Sequence, residues 1–397
     1  MDKKNKTPNV PNLRFKEFHT EWKKLQIGNL IKERKEYTSD FEKYPLYSFT
    51  LESGITPKSE RYERSFLVKK EGDLFKIVHQ NDFVMNPMNL RFGAINYSKI
   101  NQIVSVSGYY DIFTIDECKY NEFWNAYFKT PRMIYTYNTI ATGSLVEKKR
   151  VYFKQLKELK MYIPNDMEKN KINEFINLLN ERIQTQIKII NALDSQRRCL
   201  FLKAHRAFSL KKVKIAELGR MVAVNNLSKD ELSIEGYDCI LYGELFTKYN
   251  LYVDNVVSKT EKMDNAIVSG GNELLFPTST TVDAISLIKP VALIKKGVIL
   301  GGDMFSIKLK DSYNPIYISC LINFIYRRKF ASKTQGSTII HLHYRDIKNE
   351  IIEICDYEVQ CKIAHLIESI TEKIKVEEEL LNLLYLQKSY LLQNMFI

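Results

Sequence analysis

The 397-residue sequence has six cysteines, and none of them forms a C-x-x-C pair. Cys118, Cys199, Cys239, Cys320, Cys355 and Cys361 therefore spell out neither a zinc ribbon nor a dithiol redox motif, and reduced, mostly buried thiols are expected. Fifteen glycines and ten prolines are too few for a low-complexity or collagen-like chain. No run of about 18 consecutive apolar residues occurs, which argues against a membrane-spanning helix. The opening MDKKNKTPNVPNLRF is charged and broken by proline, without the apolar core of a secretory signal, so a cytoplasmic location is expected. A G-x-x-x-x-G-K-[ST] phosphate loop is also missing, which argues against an ATPase, and Ser269-Gly270-Gly271-Asn272 reads only as a turn.

What is present fits a globular protein. On length alone the chain suits two or three domains, and 45% hydrophobic with 27% charged residues rules out disorder. Lys and Arg number 59 against 47 Asp and Glu, and the resulting +12 favours a polyanionic partner such as nucleic acid.

The chain repeats itself. Residues 163–205 overlay residues 354–396 at a constant offset of 191. Ile172, Ile176, Leu179, Ile183, Ile190, Leu193 and Leu200 fall on Ile363, Ile367, Ile370, Ile374, Leu381, Leu384 and Leu391, every pair apolar on both sides. Steps of 4 and 3, interrupted by polar layers, describe a heptad seam, so each copy reads as a long helix that packs on another helix. The interrupting residues also correspond, Gln186 with Glu377 and Arg197 with Lys388. Asn165 followed by Glu168 resembles a capping box, and Asp356 holds the equivalent cap position. Helices of roughly 36 residues would each span about 54 Å. Packed antiparallel, they would bring Gln186 opposite Glu377 in a hydrogen-bonded polar layer.

Weaker matches continue upstream at offsets of 188 to 193. Ala141 to Ser144 matches Thr334 to Ser337, Asp111 to Ile115 matches Asp303 to Ile307, and Trp22 to Leu25 matches Leu210 to Val213. Short apolar runs at residues 47–51, 83–85, 103–106, 274–276 and 292–294, set between Gly, Pro and Asn, predict β-sheet with some helix. The expected architecture is α+β: mixed α/β domains over residues 1–164 and 209–355, joined by long helices over 165–208 and 356–397 that form an antiparallel coiled coil with pseudo-two-fold symmetry. Between the anchors the two domains differ almost completely, which suggests two modules presented alike to two different targets.

The charge is uneven. Residues 1–164 carry a net +9, residues 165–208 and 209–355 carry +3 each, and residues 356–397 carry −3. Phosphate contact needs Lys, Arg and backbone donors. Candidates in the first domain are Lys58, Arg61, Arg64, Asn86, Asn89, Arg91, Lys148, Lys149 and Arg150; in the second they are Lys295, Lys296, Arg327, Arg328, Lys333 and Gln335. Arg91 and Gln335 stand out because they lie in Asn/Gly-flanked turns beside predicted strands. Each cluster could equally be a solvated surface patch.

Catalytic signals are weak. Glu158-Leu159-Lys160 is a D/E-x-K pair of a kind common in lysine-rich chains, and His341-Leu342-His343 lacks a third metal ligand. Asn86-Pro87-Met88-Asn89 is similar to the N-P-P-[YF] loop of amino-methyltransferases, but the second proline and the stacking aromatic are missing, and no Gly-rich cofactor loop precedes it. No metal or cofactor site is expected on this chain.

Val10-Pro11-Asn12-Leu13-Arg14-Phe15 with Glu21-Trp22, the Gly-Ser turns at Gly143 and Gly336, the helix opening Gln360-Cys361-Lys362-Ile363-Ala364 and the ending Leu391 to Phe396 together resemble the specificity subunit of type I restriction-modification systems. The likeness covers the whole chain, although the first helix has Glu168-Lys169-Asn170-Lys171-Ile172 without the glutamine. It implies a non-catalytic DNA reader of bacterial defence, in which each globular domain recognises one half of a split, asymmetric duplex target. The helices would act as the ruler and dock two modification subunits, which use S-adenosylmethionine, and two restriction subunits, which use ATP and Mg²⁺. Phe175, Ile187 and Ile189, off the seam, would face those partners. A self-sufficient DNA methyltransferase or nuclease and a purely structural coiled-coil adaptor are the competing readings.

Overall fold

A computed structural model describes residues 9–51, 54–57, 74–145, 148–224, 227–262 and 266–397. The chain divides into two compact units, one of residues 1–187 with 380–397, the other of residues 188–379. Each consists of a mixed α/β body and one stretch of each of two long helices, Asp166–Arg206 and Tyr357–Met395.

The body of the first unit is built on a four-stranded antiparallel sheet in the order Ile31–Glu33, Asp111–Ile115, Phe83–Met85, Ile95–Tyr97. Its central strands are buried on both faces, with side chains alternating between them. Phe83, Met85, Phe113 and Ile115 point to the helices Asn121–Phe128 and Pro131–Ile140, while Val84 and Ile112 point to a second core with Phe49, Val78 and Val106. In the second unit the sheet has the same order, Gly219–Ala223, Met304–Leu309, Glu273–Pro277, Val291–Leu293. Leu274, Phe276, Phe305 and Ile307 there face the helix Pro315–Leu321 and its continuation, and Leu275 and Met304 face the opposite core.

The repeat extends to hydrogen-bond register. Lys23–Gln26 pairs with Lys160–Ile163 so that Lys23 faces Ile163, and Lys211–Lys214 pairs with Ile351–Ile354 so that Lys211 faces Ile354. The units differ in their outer sheets. The first has a three-stranded sheet and a separate hairpin, Tyr47–Thr50 with Gly54–Pro57; the second has a five-stranded sheet containing one parallel pair, Tyr237–Leu241 beside Lys296–Gly301. Strand positions expected from the sequence are found within a residue or two of their limits.

Within each unit the two long helices run antiparallel. Lys388 Nζ donates to Asn180 Oδ1 at 2.5 Å in the first unit, and Arg197 donates to Thr371 Oγ1 at 3.1 Å in the second. These two bonds are one interaction seen twice, because Arg197 and Lys388, like Asn180 and Thr371, are 191 residues apart. Ile172, Ile176, Ile183, Ile363, Ile367, Ile374 and Leu384 are buried, and Leu179, Ile190, Leu193, Ile370 and Leu381 are half-buried. Gln186 belongs to the first unit and Glu377 to the second.

The helix starts differ from a capping-box expectation. Asn165 Oδ1 does accept from Glu168 N at 2.9 Å, but the Glu168 carboxylate does not return to the cap. It is fully buried and held by both Nε and Nη2 of Arg14, each at 2.6 Å. Asp356 gives its carboxylate to Lys211 across the small sheet. In both cases a cation distant in sequence outcompetes the local backbone donor, since a charge-assisted bond is the stronger one.

The second unit buries an imidazole. His205 Nδ1 lies 2.7 Å from Tyr317 Oη, whose hydroxyl also accepts from Cys355 N at 3.1 Å. Burial pushes the His205 pKa below its ordinary value.

Two outcomes are expected. Arg14→Ala strands the buried Glu168 carboxylate and should cost the first unit about 3–5 kcal/mol, most of it recovered by adding Glu168→Gln. Both tryptophans, Trp22 and Trp124, lie in this unit, so urea unfolding followed by their fluorescence reads it directly; an unchanged midpoint would contradict the assignment. The neutral His205 contributes stability that is complete above the unfolded imidazole value of about 6.5 and is lost as pH falls below it. Hydrogen-exchange protection factors across residues 201–206 and 363–371, taken against the intrinsic amide rate at each pH, should therefore fall from pH 7 to 5, and His205→Gln should flatten that response.

Candidate nucleic-acid interface

Both units close their body with the same turn. Thr142 and Arg150 exchange two backbone hydrogen bonds at 2.9 Å, as do Gln335 and His341 at 2.9 and 2.7 Å. Gly336 makes this closure possible: its φ is +101°, and an added Cβ would stand 2.1 Å from Ile339 O. Gly143 occupies the matching position, also at positive φ.

The residue after the turn docks on the loop that leaves the central strand. Val151 N donates to Pro87 O at 3.0 Å, and Leu342 N donates to Thr278 O at 2.9 Å. A short helix then starts from a side-chain cap in each unit, Gln155 Oε1 accepting from Tyr152 N and Asp346 Oδ2 from His343 N, both at 2.8 Å. Each unit thus carries one paired element, a strand-exit loop held beside a glycine turn by corresponding backbone hydrogen bonds, although the two turns differ in length.

In the first unit this frame brings together two of the clusters expected from sequence, residues 86–91 and 148–150. Asn86 is spent on the loop itself, its Oδ1 accepting from Met88 N at 3.1 Å and Asn89 N at 3.3 Å. These bonds brace the loop, in which Asn86 is half-buried. Asn89 is exposed. Arg91 lies over the Phe92 ring at 4.8 Å, and Arg150 over the Tyr109 ring at 5.3 Å. Among the described residues, Arg91, Lys148, Lys149 and Arg150 form no ion pair. Phe92, Tyr109 and Tyr152 are 57%, 39% and 51% exposed, so apolar ring surface lies beside these basic side chains. Lys58, Arg61 and Arg64 lie outside the described residues.

The second unit uses its basic residues differently. Lys295 pairs with Asp238. Lys333 pairs with Glu350 at 2.9 Å, where Lys329 joins it at 3.0 Å, and the two ammonium groups hold that carboxyl below its usual range. Arg327 Nε donates to Ile285 O at 2.9 Å, and burial lowers its pKa. Lys295, Lys333 and Arg327 thus make bonds within the fold of this unit, with Lys295 and Lys333 remaining exposed. Lys296 and Arg328 are exposed, and Gln335 Nε2 reaches Asp346 Oδ1 only at 3.4 Å.

Arg345, Ser279 and Thr280, which sequence reasoning passed over, stand at this second turn beside the histidines of the His341-Leu342-His343 motif. His341 and His343 are exposed with parallel rings 6.2 Å apart, and Arg345 lines a cleft of about 410 Å³ with His343, Thr278 and Met304. Ser279 and Thr280 pair with His341 and Ile340. Their signal was positional, in that they flank the Gly-Ser turn. Among the described residues no group of three or more His, Cys, Asp or Glu could hold a metal ion, and no helix is long and apolar enough to cross a membrane.

These surfaces can hold phosphates through unpaired Lys and Arg and read base edges through Asn, His, Ser, Thr and aromatic groups. The two units offer different sets of such groups on one frame.

Residues 210–385 match the family model of the type I restriction modification DNA specificity domain. In fold the chain is similar to the S subunit of a type I restriction-modification system from M. genitalium, with a TM-score of 0.55, 12% identity, and 98% of this chain and 99% of that one covered. It is also similar to a chain from a structure on complex assembly and conformational transition of the type I R-M system, with a TM-score of 0.54, 11% identity, and coverage of 94% and 97%. No curated protein sequence matches.

Arg150→Ala is expected to weaken duplex DNA binding by a similar factor on every sequence and to lower the salt slope by about 0.9 for each phosphate it no longer neutralises. Lys333→Ala, whose ammonium is already neutralised, should leave that slope unchanged. Anisotropy titrations across about 50 to 200 mM salt check both; a parental slope in Arg150→Ala would remove this residue from the interface.

Proposed function

We propose that this chain, whose residues 210–385 belong to the type I restriction modification DNA specificity domain family, is the DNA-recognition subunit of a type I restriction-modification complex. The observation that carries the reading is the glycine turn and strand-exit loop repeated on one frame with unlike side chains. A reader of a two-part, asymmetric target needs that combination: two heads placed on the duplex in the same way, each with its own base-contacting set. The first head would bind chiefly through unpaired cations and rings, the second through His, Ser and Thr groups beside Arg345.

The long helices would set the distance between the half-sites and dock two modification and two restriction subunits. Exposed apolar side chains on them suit such docking: Leu178 and Ile189 on the first helix, and Val376, Leu383, Leu386 and Tyr390 on the second. Ile187 and Phe175 are half-buried, and Phe175 also packs edge-on against Phe15 at 5.8 Å. In this reading the chain itself performs no chemistry. S-adenosylmethionine, ATP and Mg²⁺ belong to the partner subunits.

Methylome sequencing of cells that express the chain with its modification subunits tests the proposal. A two-part methyladenine motif is expected, and exchanging residues 1–164 for those of another specificity subunit should change one half only. Methylation or cleavage by the purified chain alone, or a motif indifferent to the exchange, would overturn it.

A further inference from the structure

A polar cavity of about 720 Å³ lies inside the first unit, away from the glycine turn. Three lysines line it, Lys99, Lys129 and Lys388, against one carboxylate, Glu122. That carboxylate already accepts three hydrogen bonds. Glu122 accepts from Lys99 Nζ, from Tyr97 Oη at 2.7 Å and from Asn180 Nδ2 at 3.0 Å. Lys388 Nζ is turned to the neutral Asn180 Oδ1. Lys129 has no ion-pair partner among the described residues, and the nearby Asn125 Oδ1 is buried without a hydrogen bond.

Among the described residues, the ammonium groups of Lys99, Lys129 and Lys388 thus share the single carboxylate of Glu122 in a partly enclosed space, an excess of positive charge that costs free energy unless something anionic offsets it. Burial and the neighbouring Lys388 push the Lys129 pKa down to about 8, and burial lowers Lys388 as well. The volume exceeds what a water cluster needs and suits a small organic anion. Among the described residues nothing comparable is repeated in the second unit, where Ile322 and Asn323 follow the helix that corresponds to Asn121–Phe128. The site is therefore separate from the duplicated frame.

We infer that this cavity binds a small phosphate-bearing anion, with Lys129 and Lys388 holding the phosphoryl oxygens and Lys99 at the rim. Lys and phosphate pair as point charges without a demanding geometry, which fits ammonium groups supplied from three different elements. The Asn125 side chain, on the same helix as Glu122 and one turn before Lys129, is placed to orient the ligand through its amide donors.

Calorimetry on the full chain with inorganic pyrophosphate, and separately with ATP, tests the site. Saturable binding is expected, weakened at least tenfold by Lys129→Gln and by Lys388→Gln. At pH 8 binding should take up protons, seen as a dependence of the heat on the buffer's ionisation enthalpy, because an anion beside Lys129 favours its charged form. Lys99, Lys388, Glu122, Tyr97 and Tyr385 face the same space and are common to the parent and the Lys129 variants. Lys129→Arg should keep the affinity and reduce the proton uptake, a readout that a merely structural lysine would not move. Thermal denaturation of each variant without ligand confirms that it folds. No saturable binding by the parent chain, or affinity unchanged by both glutamine variants, would overturn the inference. So would displacement of pyrophosphate by saturating duplex DNA, which would make the cavity part of the duplex surface.

Discussion

Each unit closes its core with side chains that arrive from far along the chain, and the rest of the architecture depends on that closure. Phe396 packs on Trp22, Phe123 and Tyr127 in the first unit, with ring centroids 6.3, 5.4 and 4.9 Å away. In the second unit the end of the first helix fills the corresponding place, where Phe201 and His205 lie 5.7 and 6.0 Å from the Tyr317 ring. Aromatic burial of this size is among the larger favourable terms available to a domain. It obliges both long helices to serve both units, so the segments that join the heads are the same segments that complete them.

On that base the duplicated frame can vary its surface without risk to its fold. The backbone bonds that shape the turn and dock it on the strand-exit loop involve only main-chain atoms, apart from the two caps. Side chains at the turn are left to differ, and they do. In the first unit Arg91 and Lys148 to Arg150 form no ion pair among the described residues, whereas the second engages Lys295, Arg327 and Lys333 in bonds within its own fold. The whole-chain excess of +12 is therefore a poor guide to the field at each head.

The scaffold was the legible part. Heptad spacing, the 191-residue offset and the short apolar runs located the helices and most central strands, because burial writes a period into the sequence. The site was only half legible. Charge clusters could be read, but their neutralisation depends on partners such as Asp238, 57 residues before Lys295. The same blindness applied to Glu168, where the local capping rule lost to Arg14, 154 residues upstream. Tyr109 and Arg345 carry no local pattern; only the fold brings them to the turns.

Closure by Phe396 also sets an order of events during synthesis. The body of the first unit leaves the ribosome well before residues 391–396 exist, and until they arrive Trp22, Phe123 and Tyr127 have one side uncovered. The second unit waits less, since Phe201 and His205 precede the body they complete and its last core residues, Ile363, Ala364 and Ile367, precede Phe396. A chain that reads from its amino end to its carboxyl end would thus finish its second head first, and its first head would spend the interval as a candidate for chaperones.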